Sequence, residues 1–496
     1  MNIQTLQILL IISLYLVGCM ILGVRSYRKG ASASDYLMAS REFKFFILFS
    51  AVFGANISAV TLIGVPGTSY HVGWITWAYF GTAWAWLSPL LFYTIGNRSW
   101  LLGKKYDIVT ISELLGKRWE SKGLQYFSSL FLLFYLIPYL MVGVIGGGRT
   151  IYGLTNGFIP YWVGALAVTI VVCFYVFLGG MRGAAWVNAL QTSIFLIGGI
   201  AIFFVIAYSL GGFNFATQTI ADKYPELLNR TNMSWQRFFS YGIIVSLAVP
   251  VFPNVFSRLL TGKKPSELKK TVLLYPIAGL LIFILMAYAG MWGRIPIPGL
   301  KGASSDGILP LLLAKYAPAW MAGVLGAAIF SALMSTLDSQ LIAIGQIFLK
   351  DVIIPIRKSD TLRQNDVIIG RVLVILFALI AFIGALIQPK SIINIIEWSF
   401  GGFACMFLPV VAALYWKRCG KFAIFGSIIV SQFLSIALPL GIVPKSILFG
   451  MLPAFWAMVG GFITLFVLAY ITPKQETELS KNFFSVFVTP SAYKPL

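Results

Sequence analysis

Residues 45–70, FFILFSAVFGANISAVTLIGVPGTSY, form an apolar run long enough to cross a membrane, yet Gly54-Ala55-Asn56-Ile57-Ser58 interrupts it near the middle and Gly64-Val65-Pro66-Gly67 follows. In hydrocarbon every backbone N–H and C=O must be paired, so such a break survives only where it lines a cavity or a ligand. A second apolar segment, 237–257, carries Pro250 and Pro253 at a similar depth. Two interrupted helices in corresponding halves of a chain point to a carrier's binding site at the bilayer midplane.

With 59% hydrophobic and 11% charged residues over 496 positions, a soluble domain is excluded, since its surface would need far more charge. Windows of about 20 apolar residues, enough for a ~30 Å hydrocarbon core, recur at 6–24, 45–70, 74–96, 124–147, 158–178, 186–210, 237–257, 273–293, 319–345, 367–388, 391–415, 422–441 and 446–471. The expectation is an all-α integral membrane protein with about thirteen transmembrane helices.

The net charge of +21 suggests nucleic acid, but its distribution rejects that partner. With the N-terminus outside, 27 of the 37 Lys and Arg fall on one side, nine on the other, and Arg371 lies just inside a helix. This positive-inside bias predicts a multi-pass plasma-membrane protein with an external N-terminus and a cytoplasmic tail, 472–496. Membrane lipid is an expected partner, and headgroup binding is the lesser reading of the basic clusters. Four scattered cysteines and the single His71 give no disulfide framework or metal-site spacing. Residues 6–24 lack a preceding basic region and a cleavage site, so they read as a retained first helix.

Counting from residue 45, five helices (45–210) precede five more (237–416), and each set opens on the interrupted one. The first set begins on the cytoplasmic side and the second outside, which is an inverted repeat. The remaining divisions are 1–44, an extra helix and cytoplasmic loop; 211–236, an external loop; 417–471, two peripheral helices; and the tail. The external stretches 211–236 and 294–318 read as connectors, with lids as the alternative. Glu113, Leu114, Leu115, Lys117 and Trp119 suggest a short interfacial amphipathic helix.

Several stretches, in order, resemble the solute:sodium symporter family. They are Ser34-Asp35-Tyr36-Leu37 with Arg41; GANISA at 54–59; GGMRGAAW at 179–186 with Gln191; Phe252-Pro253-Asn254 with Arg258-Leu259-Leu260; Ala332-Leu333-Met334-Ser335-Thr336 with Asp338, Ser339 and Asp351; and Tyr415-Trp416-Lys417-Arg418. They cover most of residues 34–426. The proline, pantothenate and monocarboxylate branches are the most similar. The resemblance implies a LeuT-type five-plus-five inverted repeat and sodium-coupled symport by alternating access.

Ala332, Ser335 and Thr336 stand at i, i+3 and i+4 and share a helix face. Two hydroxyls opposite a helix break supply neutral oxygens for a small hard cation; the alternative is that both bond back to their own helix. The resemblance places a sodium ion on the carbonyls of Gly54, Ile57 and Ala332 and the hydroxyls of Ser335 and Thr336. Many family members carry an acid where this chain has Asn188, and the proline branch carries one at the position of Asn56. Losing both argues against two ions, so one sodium per cycle is expected, with a proton-coupled or uncoupled carrier as the alternative. Asp338 and Glu397 are the acids placed within membrane segments, and intramembrane carboxylates are functional candidates. Asn188 and Asp338 are the coupling candidates.

The solute is expected beside the breaks, at Asn56, Ser58 and Thr61, at Phe252, Pro253 and Asn254, and at Trp398. Free N–H groups at a broken helix suit a carboxylate, and Ala248-Val249-Pro250 disfavours a sugar. A small carboxylate-bearing molecule is expected, such as an amino acid, pantothenate or a monocarboxylate. No signalling domain follows, no catalytic constellation for an intramembrane enzyme is present, and no phosphate-binding loop supports ATP-driven transport. No obligatory protein partner is evident.

Overall fold

The computed structural model describes residues 3–25, 33–57, 59–357, 364–387, 392–442, 444–473 and 478–487. The described chain is helical throughout, apart from a single bridge between Phe43 and Gly262. We label the principal helices α1 (Ile3–Arg25), α2 (Phe45–Asn56), α3 (Val65–Val72), α4 (Ile75–Phe80), α5 (Ser88–Tyr106), α6 (Ile111–Arg118), α7 (Lys122–Leu154), α8 (Tyr161–Ser209), α9 (Trp235–Ala248), α10 (Pro253–Leu259), α11 (Pro265–Trp292), α12 (Ala319–Ile347), α13 (Gln364–Leu386), α14 (Ile392–Ala404), α15 (Phe407–Tyr415), α16 (Lys421–Ala437), α17 (Pro453–Ile471) and α18 (Glu478–Ser485).

Among the described residues, eight helices are long and apolar enough to span a membrane alone, and ten if each of two bent pairs is one span. The windows 158–178 and 186–210 merge into the 49-residue α8, which breaks at Gly180 with φ 53° and ψ −145°. A Cβ there would lie 2.5 Å from the Tyr36 ring, so both the angle and the space require glycine. The window 74–96 is split by a π turn, Gly81–Leu87, between α4 and α5. The helix α16 is only 17 residues long.

Both expected breaks are present. The first lies at Ile57, with φ −100° and ψ 86°, and the chain resumes through a π turn into α3, bent by 45°. The second lies at Phe252, with φ −62° and ψ 129°, between a 3-10 turn (Val249–Val251) and α10, bent by 52°. Pro253 occupies the first position of α10, where its missing N–H costs no helical bond. The backbone of Phe43 pairs with Thr261 and Lys263, tying the same end of the two broken helices together.

Burial ranks the helices. The span containing α12 is 83% buried, whereas α1, α13 and α17 are 28% buried, so α12 is the inner post and the others face lipid. Helix α12 packs on α8, α7, α1 and α2. Helix α6 is not interfacial: Ile111, Glu113, Leu114, Leu115 and Arg118 are buried within the protein. Its start is capped by Thr110, whose Oγ1 accepts from Glu113 N, while Glu113 Oε2 accepts from Val109 N. The segments 211–236 and 294–318 are packed, with Trp74 Nε1 donating to Leu228 O and Asp306 Oδ2 accepting from Ile392 N at 3.1 Å.

Candidate functional site

Four residues of the candidate ion site converge where α2 ends against α12. Ser335 Oγ lies 3.0 Å from Gly54 O across the interface and 3.0 Å from Ala332 O in its own helix. Thr336 Oγ1 lies 3.4 Å from Ala332 O. The hydroxyls therefore both bond back along the helix and, at Ser335, reach the break. Gly54 lacks a side chain for a reason: a Cβ would sit 2.6 Å from Thr192 Oγ1, which itself donates to Ser50 O at 3.1 Å. Ile57 caps α2 in a non-helical conformation that releases its carbonyl from the helical ladder. All these side chains are buried. Their oxygens are neutral, which suits a cation that sheds its water for carbonyls and hydroxyls.

The solute candidates gather at the two breaks. Asn254 Nδ2 donates to Ala55 O at 3.2 Å, linking the breaks directly. Asn56 Nδ2 donates to Tyr275 Oη. Phe252 is fully buried, its ring 4.4 Å from Phe400, 5.1 Å from Phe403 and 5.7 Å from Tyr139. Three candidates keep a buried polar atom without a partner: Asn56 Oδ1, Thr61 Oγ1 and Asn254 Oδ1. Ser399 Oγ and Tyr139 Oη do the same in this neighbourhood. Buried polar atoms are nearly always satisfied in folded proteins, and these five stand ready to meet a polar solute or ordered water.

Trp398 does not join the group. It is half-buried and packs on Phe134 and Tyr135 of α7, with ring centroids 5.3 and 5.1 Å away. Two residues on, Phe400 faces Phe252, because the inward stripe of α14 runs through Ser399, Phe400 and Phe403. Ser58 lies outside the described residues.

A sodium:solute symporter family model matches residues 36–430. The chain belongs to this family. A sodium/pantothenate symporter of Haemophilus influenzae is 29% identical, covering 87% of this chain and 89% of its own. A sodium/proline symporter of Salmonella typhimurium is 24% identical, with 82% of each covered. Among solved structures, a substrate-bound, outward-open Na+-coupled sialic acid symporter superposes with a TM-score of 0.78 at 20% identity, covering 95% and 99% of the two chains. A nucleobase–cation symporter in a closed conformation gives 0.58 at 12% identity. The fold is thus the LeuT-type fold, in a multi-pass membrane protein.

Against the family pattern, the two coupling candidates meet. Asn188 Nδ2 donates to Asp338 Oδ1 at 3.1 Å. A carboxylate of α12 thus faces the Asn188 amide of α8. Asp338 also accepts from Tyr175 Oη at 2.9 Å, Ser339 Oγ at 2.9 Å and Arg258 Nη2 at 3.3 Å. Arg258 and Asp338 are both fully buried, and Ser339 Oγ also lies 2.6 Å from Ser335 O, so this network adjoins the ion candidates. Sequence reasoning missed Arg258, Tyr175, Tyr275 and Thr192 as members; Arg258 beside a proline-marked break was the one readable signal.

Ionic ties close both ends of the symporter core. On one side Arg41 donates to Ile108 O at 2.8 Å and Leu260 O at 3.3 Å, and Lys350 Nζ lies 2.7 Å from Asp107 Oδ2. At the other, Arg237 of α9 and Tyr79 of α4 both donate to Glu397 of α14. Below that pair Tyr79 stacks on Tyr241 at 3.9 Å. Glu397 is thus paired with Arg237 and Tyr79.

Proposed function

We propose that this chain carries out sodium-coupled symport of a small carboxylate-bearing organic solute, such as an amino acid, pantothenate or a monocarboxylate, with one sodium per cycle. Gly54, Ile57, Ala332, Ser335 and Thr336 hold the ion as cargo; Asn56, Thr61, Phe252, Pro253 and Asn254 face the solute. The observation that carries the reading is the pairing of an ion-ready oxygen cluster with unpartnered polar atoms at both breaks. Hydroxyls such as Thr61 suit a carboxylate, and the free Asn56 and Asn254 oxygens suit a solute that also carries N–H or O–H donors. The pantothenate and proline symporters among its relatives have names that fit this class.

The alternative, proton-coupled or uncoupled transport, rests on the loss of charge at both Asn188 and Asn56. Asp338 Oδ1 accepts from Asn188 Nδ2 at 3.1 Å, and the case for sodium coupling rests on the oxygen cluster at the first break. The proposed orientation places the N-terminus outside and the tail in the cytoplasm. Proteoliposomes given an inward sodium gradient are expected to accumulate labelled pantothenate, proline or a short monocarboxylate. Uptake of all of these that is equal in sodium and choline overturns the proposal.

A further inference from the structure

The first part of α8 and α13 run antiparallel, tied at one end by Tyr161 Oη donating to Ala385 O at 3.1 Å. At the other end the Arg371 guanidinium stands 5.3 Å over the Phe177 ring. Between these ties the helices enclose an open groove of about 490 Å³, with Cys173 and Ala378 among its lining. Its walls are almost wholly carbon, and the hydroxyl of Thr169 already donates to its own helix at Ala165 O, 2.8 Å away. Ile170, Phe174, Ile375 and Leu379, also in the lining, are between 38% and 54% exposed, so the groove opens outward from the protein.

Dimension and charge both restrict what fills such a groove. A polar solute would lose its hydration there without finding a partner. Along α8 the lining runs from Leu166 to Leu178, about 18 Å at 1.5 Å per residue, against ~15 Å for half of a ~30 Å hydrocarbon core. The groove is therefore about as long as one leaflet is thick. Arg371 lies one helical turn before Ile375 and on the same face. It sits at the end where Phe177, itself a lining residue, closes the groove. A guanidinium at the mouth of an apolar slot one leaflet long matches a lipid phosphate above its acyl chain, and a net anionic headgroup gains most from it.

We propose that the groove between α8 and α13 binds one acyl chain of an anionic phospholipid, with its phosphate held at Arg371. The site is separate from the transport path, and its failure would leave the symport reading untouched. Native mass spectrometry of the full-length protein, released from nanodiscs of equal phosphatidylglycerol and phosphatidylcholine, tests it directly. Wild type is expected to retain phosphatidylglycerol over phosphatidylcholine by about five-fold, the preference one basic residue supplies at an anionic surface. Arg371→Gln is expected to abolish that preference and Arg371→Lys to keep most of it. Ala378→Trp, which fills the groove, is expected to lose the retained lipid while sodium-dependent solute binding persists and reports an intact fold. Equal retention of the two lipids by wild type, or a preference surviving either Arg371→Gln or Ala378→Trp, overturns the proposal.

Discussion

Arg258 and Asp338 show how a buried ion pair is tolerated in an apolar interior. Asp338 accepts from four side chains, while Arg258 Nε and Nη1 have no partner. Removing one member of a buried ion pair costs about 3–5 kcal/mol, because the other is left uncompensated. Asp338→Asn is therefore expected to lower the melting temperature sharply. Adding Asn188→Asp returns a carboxylate to the same cluster from the facing helix and is expected to recover much of the loss. Thermal unfolding in detergent checks this, and a double variant no better than Asp338→Asn would contradict it. Gly54 is tested in the same way. Gly54→Ala drives a methyl to 2.6 Å from Thr192 Oγ1, and overpacking of this kind costs about 1–3 kcal/mol. Thr192→Ala in the same chain is expected to restore both stability and sodium response; a Gly54→Ala variant indistinguishable from wild type would refute the close approach.

At the scale of elements, the breaks were legible because glycine, asparagine and proline are poor company for a membrane helix, and the chain places them in two apolar runs. Their fine structure was not. Pro250 and Pro253 mark the second break, yet the non-helical residue is Phe252 between them, since proline itself is content in a first helical turn. Trp398 was expected beside the solute, but the facing of α14 is fixed by its packing on α7 and on Phe252, which one sequence does not reveal. The amide at Asn188 was legible, whereas its contact with Asp338 needed the two helices side by side.

The helical turn at 302–307 adds a pH dependence. Burial pushes the Asp306 carboxyl up to about 7, against the opposing pull of the Ile392 N–H and of Arg149. Since the folded value lies above the unfolded one, native Asp306 holds its proton more tightly, and its contribution to stability fades as pH rises from about 4 through about 7. Asp306→Asn keeps an acceptor for Ile392 N and removes the titration. Wild type is expected to lose more melting temperature than Asp306→Asn between pH 5 and pH 8, and parallel losses would show that the group does not titrate there.

For the molecule as a whole, the pattern is two broken helices held together at Asn254–Ala55, braced by α12 and tied by charged groups at both ends. Carried with a net-neutral solute such as a zwitterionic amino acid, one sodium moving inward through ~100 mV supplies about 2.3 kcal/mol. At 1.4 kcal/mol per factor of ten, that sustains a solute gradient of roughly forty-fold before the sodium gradient is added. The most direct test is equilibrium solute binding to purified protein, titrating sodium against choline, for wild type and for Ser335→Ala/Thr336→Ala. Affinity is expected to rise with sodium in wild type. In the double variant the sodium needed for half of that rise should increase at least ten-fold, as expected when charge-binding hydroxyls worth about 1.5–3 kcal/mol each are lost. Solute binding that ignores sodium in wild type, or that keeps the same sodium dependence in the double variant, would contradict an ion site between the first break and α12.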